Sequence, residues 1–345
     1  MSADHMEASQ QSTPTITSPR IRLSDLVARY GIILVLLAMI IALSILSPIV
    51  RGEQYFLTPR NLLQVALQAA INSIISVGMT FIITSGGIDL SVGSMVAFAG
   101  IVAAMVMRDT SLGPVVGFLV AVLVGTLCGL FNGFLITRIQ LQPFIATLGT
   151  MGIFRGLALI VSNGRPVYGF DRSFVNMFSG TVGGIPVQVI IAVIVAVCAW
   201  FVLTQTRFGK YTIAIGGSEE VTRLAGIPVE RYKRRIYALG GFLTGIAAAL
   251  LTARLSSADP IAGTLFELDA IAATVMGGTS LTGGEGTILG TIVGALIISL
   301  VRNGMNIFNV PGFWQQLVIG TVIILAVMLD QWRKRQYAEA VTATS

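Results

Sequence analysis

Histidine occurs once in this 345-residue chain, cysteine twice and lysine three times, and only 11% of residues are charged. Each scarcity excludes a class of function. The single histidine, His5, lies in a polar stretch rich in Ser, Thr, Gln and Pro. With Cys128 and Cys198 both inside apolar runs, no disulfide framework or metal cluster is expected, and both are read as buried thiols. No base, nucleophile and orienting group cluster in the sequence, so an intramembrane enzyme has nothing to work with. None of Lys210, Lys233 and Lys334 sits in a G-x-x-x-x-G-K-[ST] loop, so the chain is not expected to hydrolyse ATP. Mid-span acids are few, which counts against a secondary transporter driven by protons or sodium, whose relays need several. Soluble domains carry about a quarter charged residues, and this chain is far below that. The net charge of +6 calls for no nucleic-acid partner, since positive cytoplasmic loops account for it.

What the sequence has instead is oil. Hydrophobic residues make up 54%, the mean hydropathy is +0.84, and apolar runs recur from end to end. Spans of about 20 residues, or shorter where a helix is broken, are expected at 31–48, 62–84, 91–107, 114–137, 144–161, 187–204, 236–254, 268–279, 287–302 and 313–329. The fold class is therefore all-α: a polytopic membrane protein of about ten helices, with an internal repeat and interrupted helices. An even number of spans leaves both termini on one side. A two-to-one excess of Arg and Lys in the segments on that side makes it the cytoplasm. Residues 1–29 are expected to be a disordered cytoplasmic tail, too polar for a cleavable signal peptide. Residues 30–330 form the membrane domain and 331–345 a second cytoplasmic tail. Glycines at four-residue spacing (Gly125, Gly129, Gly133; Gly286, Gly290, Gly294), with the series Gly241, Gly245, Ala249, are read as close helix contacts, not ligand sites.

The chain is organised around TSGGIDLSVGS at 84–94, where a carboxylate and hydroxyls interrupt two apolar segments. An aspartate at a helix centre costs roughly 2.5–3.5 kcal/mol in lipid. Irregular backbone is tolerated there only against protein or a water-filled cavity. Shifted by 191 residues, this stretch meets Gly277 to Glu285: Gly86 and Gly87 fall on Gly277 and Gly278, Leu90 on Leu281, and Gly93 on Gly284. Asp89 falls on Ser280, so the acid itself is not repeated. Paired interruptions of this kind point to a transport path. The groups they offer to a neutral, hydroxyl-rich solute are Ser85, Asp89, Ser91, Ser94, Ser280, Thr282 and Glu285, with Phe98 or Phe81 as stacking rings. Asp89 has two open roles: capping or gating at the start of the next helix, or touching substrate. Glu285 is read as a structural or gating acid, and Arg155 as pairing with an acid at depth or snorkelling outward. The span count gives the two copies the same orientation, and a single miscounted span would invert one.

Between the sixth and seventh spans, 216–228 reads as one bounded helix. Ser218 is its N-cap, Glu219 and Glu220 complement its dipole, Gly226 supplies a left-handed stop, and Pro228 blocks continuation. Val221, Leu224 and Ala225 share a face. So short a helix is marginal alone in water, which suggests an apolar knob docked in a partner's groove. The alternative is a helix lying on the bilayer, helped by Arg223 and the basic cluster at 231–235.

With these residues in view, the chain resembles the permease subunits of bacterial ABC importers for monosaccharides such as ribose, xylose and galactose. The motifs that carry the likeness are TSGGIDLSVGS (84–94), PFIATLGTMGIFRG (143–156), GKYTIAIGGSEEVTRLAGIP (209–228) and GGTSLTGGEGTILG (277–290), in that order. The resemblance implies an inner-membrane protein working as a homodimer or pseudo-symmetric pair. A cytoplasmic ABC ATPase would bind the ATP and Mg, and a periplasmic sugar-binding protein would deliver the sugar. It also implies that Gly216, Ser218, Glu219, Glu220, Val221, Leu224, Ala225 and Gly226 form the coupling helix inserted into that ATPase. The chain itself would carry no cofactor and no metal. Which sugar is carried is not written in these motifs. Ribose is the first expectation, ahead of other sugars, polyols, nucleosides and sugar-derived signals.

Overall fold

The computed structural model describes the backbone of residues 23–328 except 111, 322, 323, 326 and 327, and side chains from residue 31 on. The expectations for His5, for the tail before residue 23 and for the tail after residue 330 lie outside the described residues. Proline opens three helices where its missing N–H costs nothing: α2 (Pro59–Thr84), α4 (Pro114–Thr137) and α5 (Pro143–Ser162). The other long helices are α1 (Leu23–Arg51), α3 (Val92–Asp109), α7 (Val187–Gln205), α10 (Val229–Leu255) and α12 (Ile288–Ile307). These are eight helices long and apolar enough to cross a membrane among the described residues. α11 (Phe266–Met276) has only 11 residues, as the short eighth span required. Residues 312–321 are helical, and the rest of the tenth expected span runs partly outside the described residues.

Helices α2 and α10 form the centre. In each, 83% of the most apolar stretch is buried, against 6% for α1, although neither is the most apolar helix of the set. The centre is held by backbone proximity. A methyl added to Gly125, Gly129 or Gly133 of α4 would collide with the backbone of α10 at Gly241 and Gly245, Tyr237 and Arg234 respectively. The small-residue stripes of the sequence are thus packing seams, where van der Waals contact and not apolar transfer drives association in lipid. Cys128 is buried, as expected, but Cys198 is exposed on α7, because that helix turns one face away from the bundle.

The two interrupted segments run in the same direction. Thr274 of α11 donates its hydroxyl to the Ser76 carbonyl of α2 at 3.2 Å, and further along both, Gly284 N, past the end of α11, donates to O of Thr84, the last residue of α2, at 2.9 Å. The repeat is direct. Each copy is helix, polar break, helix: α2, 85–91, α3 and α11, 277–287, α12.

Several elements have no counterpart among the sequence expectations. Residues 163–186 hold α6 (Arg172–Ser179), capped by Asp171, and a two-residue hairpin of β1 (Thr181–Val182) and β2 (Ile185–Pro186). Its turn, Gly183–Gly184, has φ of +60° and +82°, the geometry that matches strand twist in short hairpins. The N-cap hydrogen bond from Ser173 N holds the exposed Asp171 carboxyl below its usual range. The chain after α10 folds back through left-handed Ser256, Gly263 and Leu265. Arg155 fastens that return by donating to the carbonyls of Pro260 and Ala262 at 2.6 and 2.9 Å. Backbone oxygens, and not a carboxylate, are its direct partners.

Candidate transport site and coupling face

Asp89 is fully buried, and the break is built around it. One carboxylate oxygen accepts from Ser91 N at 2.8 Å and from Ser91 Oγ at 2.6 Å. Asn132 of α4 donates to the other at 3.2 Å, and to Ser91 Oγ at 2.8 Å. The Ile88 carbonyl beside it takes Tyr237 Oη of α10 at 3.2 Å. The acid thus fixes the start of α3 and ties it to α4. Neither Asn132 nor Tyr237 was singled out in the sequence, because each reads as an ordinary residue of an apolar helix until α4 and α10 are brought beside the break.

The remaining residues expected on the path divide by location. Ser85 is buried and turns its hydroxyl back onto the Ile82 carbonyl at 2.8 Å. Ser94 is buried on α3, while Phe98 is half-buried against the cluster of Met95, Cys128 and Phe154. Phe81 is wholly buried in the core, its ring tilted against Phe208 at 6.1 Å. In the second break, Ser280 is buried and Thr282 and Glu285 are exposed. Ser280 Oγ and Thr282 Oγ1 lie 2.7 Å apart. The fold therefore brings the two breaks to one end of the bundle and joins them through Thr84 and Gly284.

A cavity of about 40 Å³ lies elsewhere, between α2, α10 and α11. Gln68, Asn72, Arg254, Phe266 and Asp269 are among the residues lining it. Arg302 grips the Asp269 carboxylate with contacts of 2.8 to 3.1 Å. At roughly 10–15 Å³ per water, the cavity takes about three waters, well short of a monosaccharide.

The bounded helix expected within 216–228, N-capped by Ser218, is present, and the two glycines before the cap end a separate helix. α8 (Arg207–Gly217) precedes α9 (Glu219–Leu224), so Gly216 belongs to the end of α8 and not to the short helix itself. The reason is local: Ser218 takes an extended backbone (φ −162°, ψ 109°) that ends α8 and caps α9, its hydroxyl accepting from Val221 N at 3.2 Å. Gly226 is left-handed at φ +80°, as the stop signal required. Val221 and Leu224 are 65% and 82% exposed, and Ala225 is exposed beside them. This knob is framed by ion pairs of Arg223 with Glu219 (3.2 Å) and Glu230 (2.7 Å), and of Lys233 with Glu219. Glu220 is exposed in the first turn.

With that geometry in place, the chain can be set beside known proteins. A family model described as branched-chain amino acid transport system / permease component matches residues 61–327. The ribose import permease protein of Bacillus subtilis (strain 168) is 45% identical over 90% of this chain and 95% of its own. The D-allose transport system permease protein of Escherichia coli (strain K12) is 41% identical over 88% and 91%. The L-arabinose ABC transporter permease protein of Azospirillum brasilense is 40% identical over 90% of both. Matched along nearly all of its membrane helices, including both breaks and α9, the chain belongs to this family of transport-system permease components.

Proposed function

We propose that this permease is the membrane-spanning subunit of an ATP-driven ABC importer that carries a monosaccharide, ribose first among the candidates, across the bacterial inner membrane. The observation that carries the reading is the 45% identity over nine-tenths of the chain to a protein named for ribose import. Relatives named for allose and arabinose keep the cargo within neutral sugars, even though the family description names amino acids. An uncharged, hydroxyl-rich cargo also suits a path with hydroxyls, amides and compensated charges in place of a lone ion.

Without a phosphate-binding lysine loop, the chain leaves hydrolysis to a separate cytoplasmic ATPase, which would hold ATP and Mg. The exposed Val221–Leu224 knob on α9 supports docking in a groove of that subunit over burial in a bilayer. Two apolar side chains ringed by ion pairs offer little to lipid, since interfacial helices want a broad apolar face. A second permease copy completes the path, and a periplasmic sugar-binding protein delivers the cargo and sets much of the specificity. Both termini are then cytoplasmic. Within the chain, Ser85, Asp89, Ser91, Ser94, Phe98, Ser280, Thr282 and Glu285 form the polar lining or its supports. The hydrogen bonds of Asp89 favour the capping and gating role.

Reconstitution in proteoliposomes tests the reading. Labelled ribose should enter only with ATP, the ATPase and the binding protein present. Gradient-driven uptake by this chain alone would overturn it.

A further inference from the structure

Gly216 lies two residues before the N-cap of α9, and two other segments close on it, the end of α2 and the second break. A methyl group there would overlap the carbonyl oxygen of Thr84, the last residue of α2, and would lie 2.5 Å from Gly284 N. That same carbonyl accepts the Gly284 amide at 2.9 Å. From the opposite side, a methyl on Gly283 would lie 2.8 Å from Gly216 O and 3.0 Å from Gly86 N. Gly86, Gly283 and Gly284 all have left-handed backbones, at φ +78°, +83° and +82°, which glycine alone adopts without strain. The end of α8 and the two polar breaks therefore meet backbone to backbone, with no side chain between them.

This contact differs in kind from the other ties of α9. The pairs Arg223–Glu230 and Lys233–Glu219, which reach α10, run through long and partly exposed side chains. Such pairs reorient readily and are weak. Close-packed backbone, in contrast, has low compressibility and transmits displacement. We propose that this glycine joint is the positioning element that carries a movement of α9 to both polar breaks at once. Gly216 and Gly284 act through α2 and the 277–287 turn, without touching cargo or ATPase. The proposal rests on the ATP-driven reading above, and it adds the route by which an event at α9 reaches the path.

The test compares Gly216→Ala with Gly217→Ala in the complete complex in proteoliposomes. Both substitutions raise helix propensity alike, but a methyl at Gly217 meets nothing within 4 Å. Gly216→Ala should retain bound ATPase and its basal hydrolysis, while sugar imported per ATP falls about tenfold from overpacking at the joint. Gly217→Ala should import like the parent. Equal coupling in the two variants would overturn the joint alone, whereas uptake by the parent without any ATPase would overturn the joint and the reading beneath it. Should Gly216→Ala not insert, hydrogen exchange on the unmodified complex decides. The Gly284 amide should stay protected in both nucleotide-free and ATP-bound states, and free exchange in either would refute a rigid joint.

Discussion

A carboxylate closed in among apolar helices persists only when its lone pairs are taken up, and Asp89 has Ser91 and Asn132 for that purpose. Removing the acid strands those donors, each costing about 1–3 kcal/mol when left unmade. Asp89→Leu should therefore lower the thermal midpoint of the purified protein and impair transport, while Asp89→Asn, which keeps an acceptor, should lose much less. Thiol labelling of buried Cys128 on heating reads this directly, since that thiol becomes accessible only on unfolding. Equal midpoints for parent and Asp89→Leu would remove Asp89 as a structural tie. The sequence exposed this acid because one charge in an apolar run is conspicuous. It concealed Asn132 and Tyr237, whose importance comes only from the helices that bring them to the break.

At the scale of elements, α9 is the clearest case of local chemistry settling structure. Ser218, Gly226 and Pro228 bound it whatever surrounds them, so it was readable from local signals. What those signals did not announce is that 207–217 is itself a helix, α8, ending in Gly216 and Gly217 just before the cap. Leu224→Glu should abolish co-purification of the ATPase and leave thermal stability within about 0.5 kcal/mol, as for a surface site away from core contacts. Retained ATPase binding by this variant would dissociate α9 from the proposed role. The α4–α10 seam predicts the reverse pattern. Gly129→Val forces a branched side chain into the α10 backbone and should destabilise by about 1–3 kcal/mol or more. Gly149→Val on α5, where nothing lies within 4 Å, should leave the isolated protomer's stability unchanged. Thermal unfolding of the two variants side by side checks the difference.

For the whole molecule, the arrangement places the polar breaks, their glycine joint and the exposed knob of α9 at one end, with the folded-back segment 256–265 fastened by Arg155 against α5. An importer worked from the knob's end should therefore respond to changes at that end in coupling and to changes at the Arg155 clamp in stability. Arg155→Ala, which frees the Pro260 and Ala262 carbonyls, should lower the thermal midpoint without altering ATPase binding. Loss of ATPase binding would contradict that separation.

Apolar length, charge bias, helix-stop residues and the repeated glycine–hydroxyl segments are local properties, and they alone determined the helical membrane class, the two breaks and the bounded α9. Packing decided the rest: that α2 and α10 occupy the centre, that the repeat is direct, that Asp89 is held by Asn132, and that Gly216 abuts Thr84 and Gly284. These depend on contacts between residues far apart in the chain, and in lipid such contacts are selected by shape and hydrogen bonding. Hydropathy does not distinguish a helix facing protein from one facing lipid, so no one-dimensional pattern contains that choice.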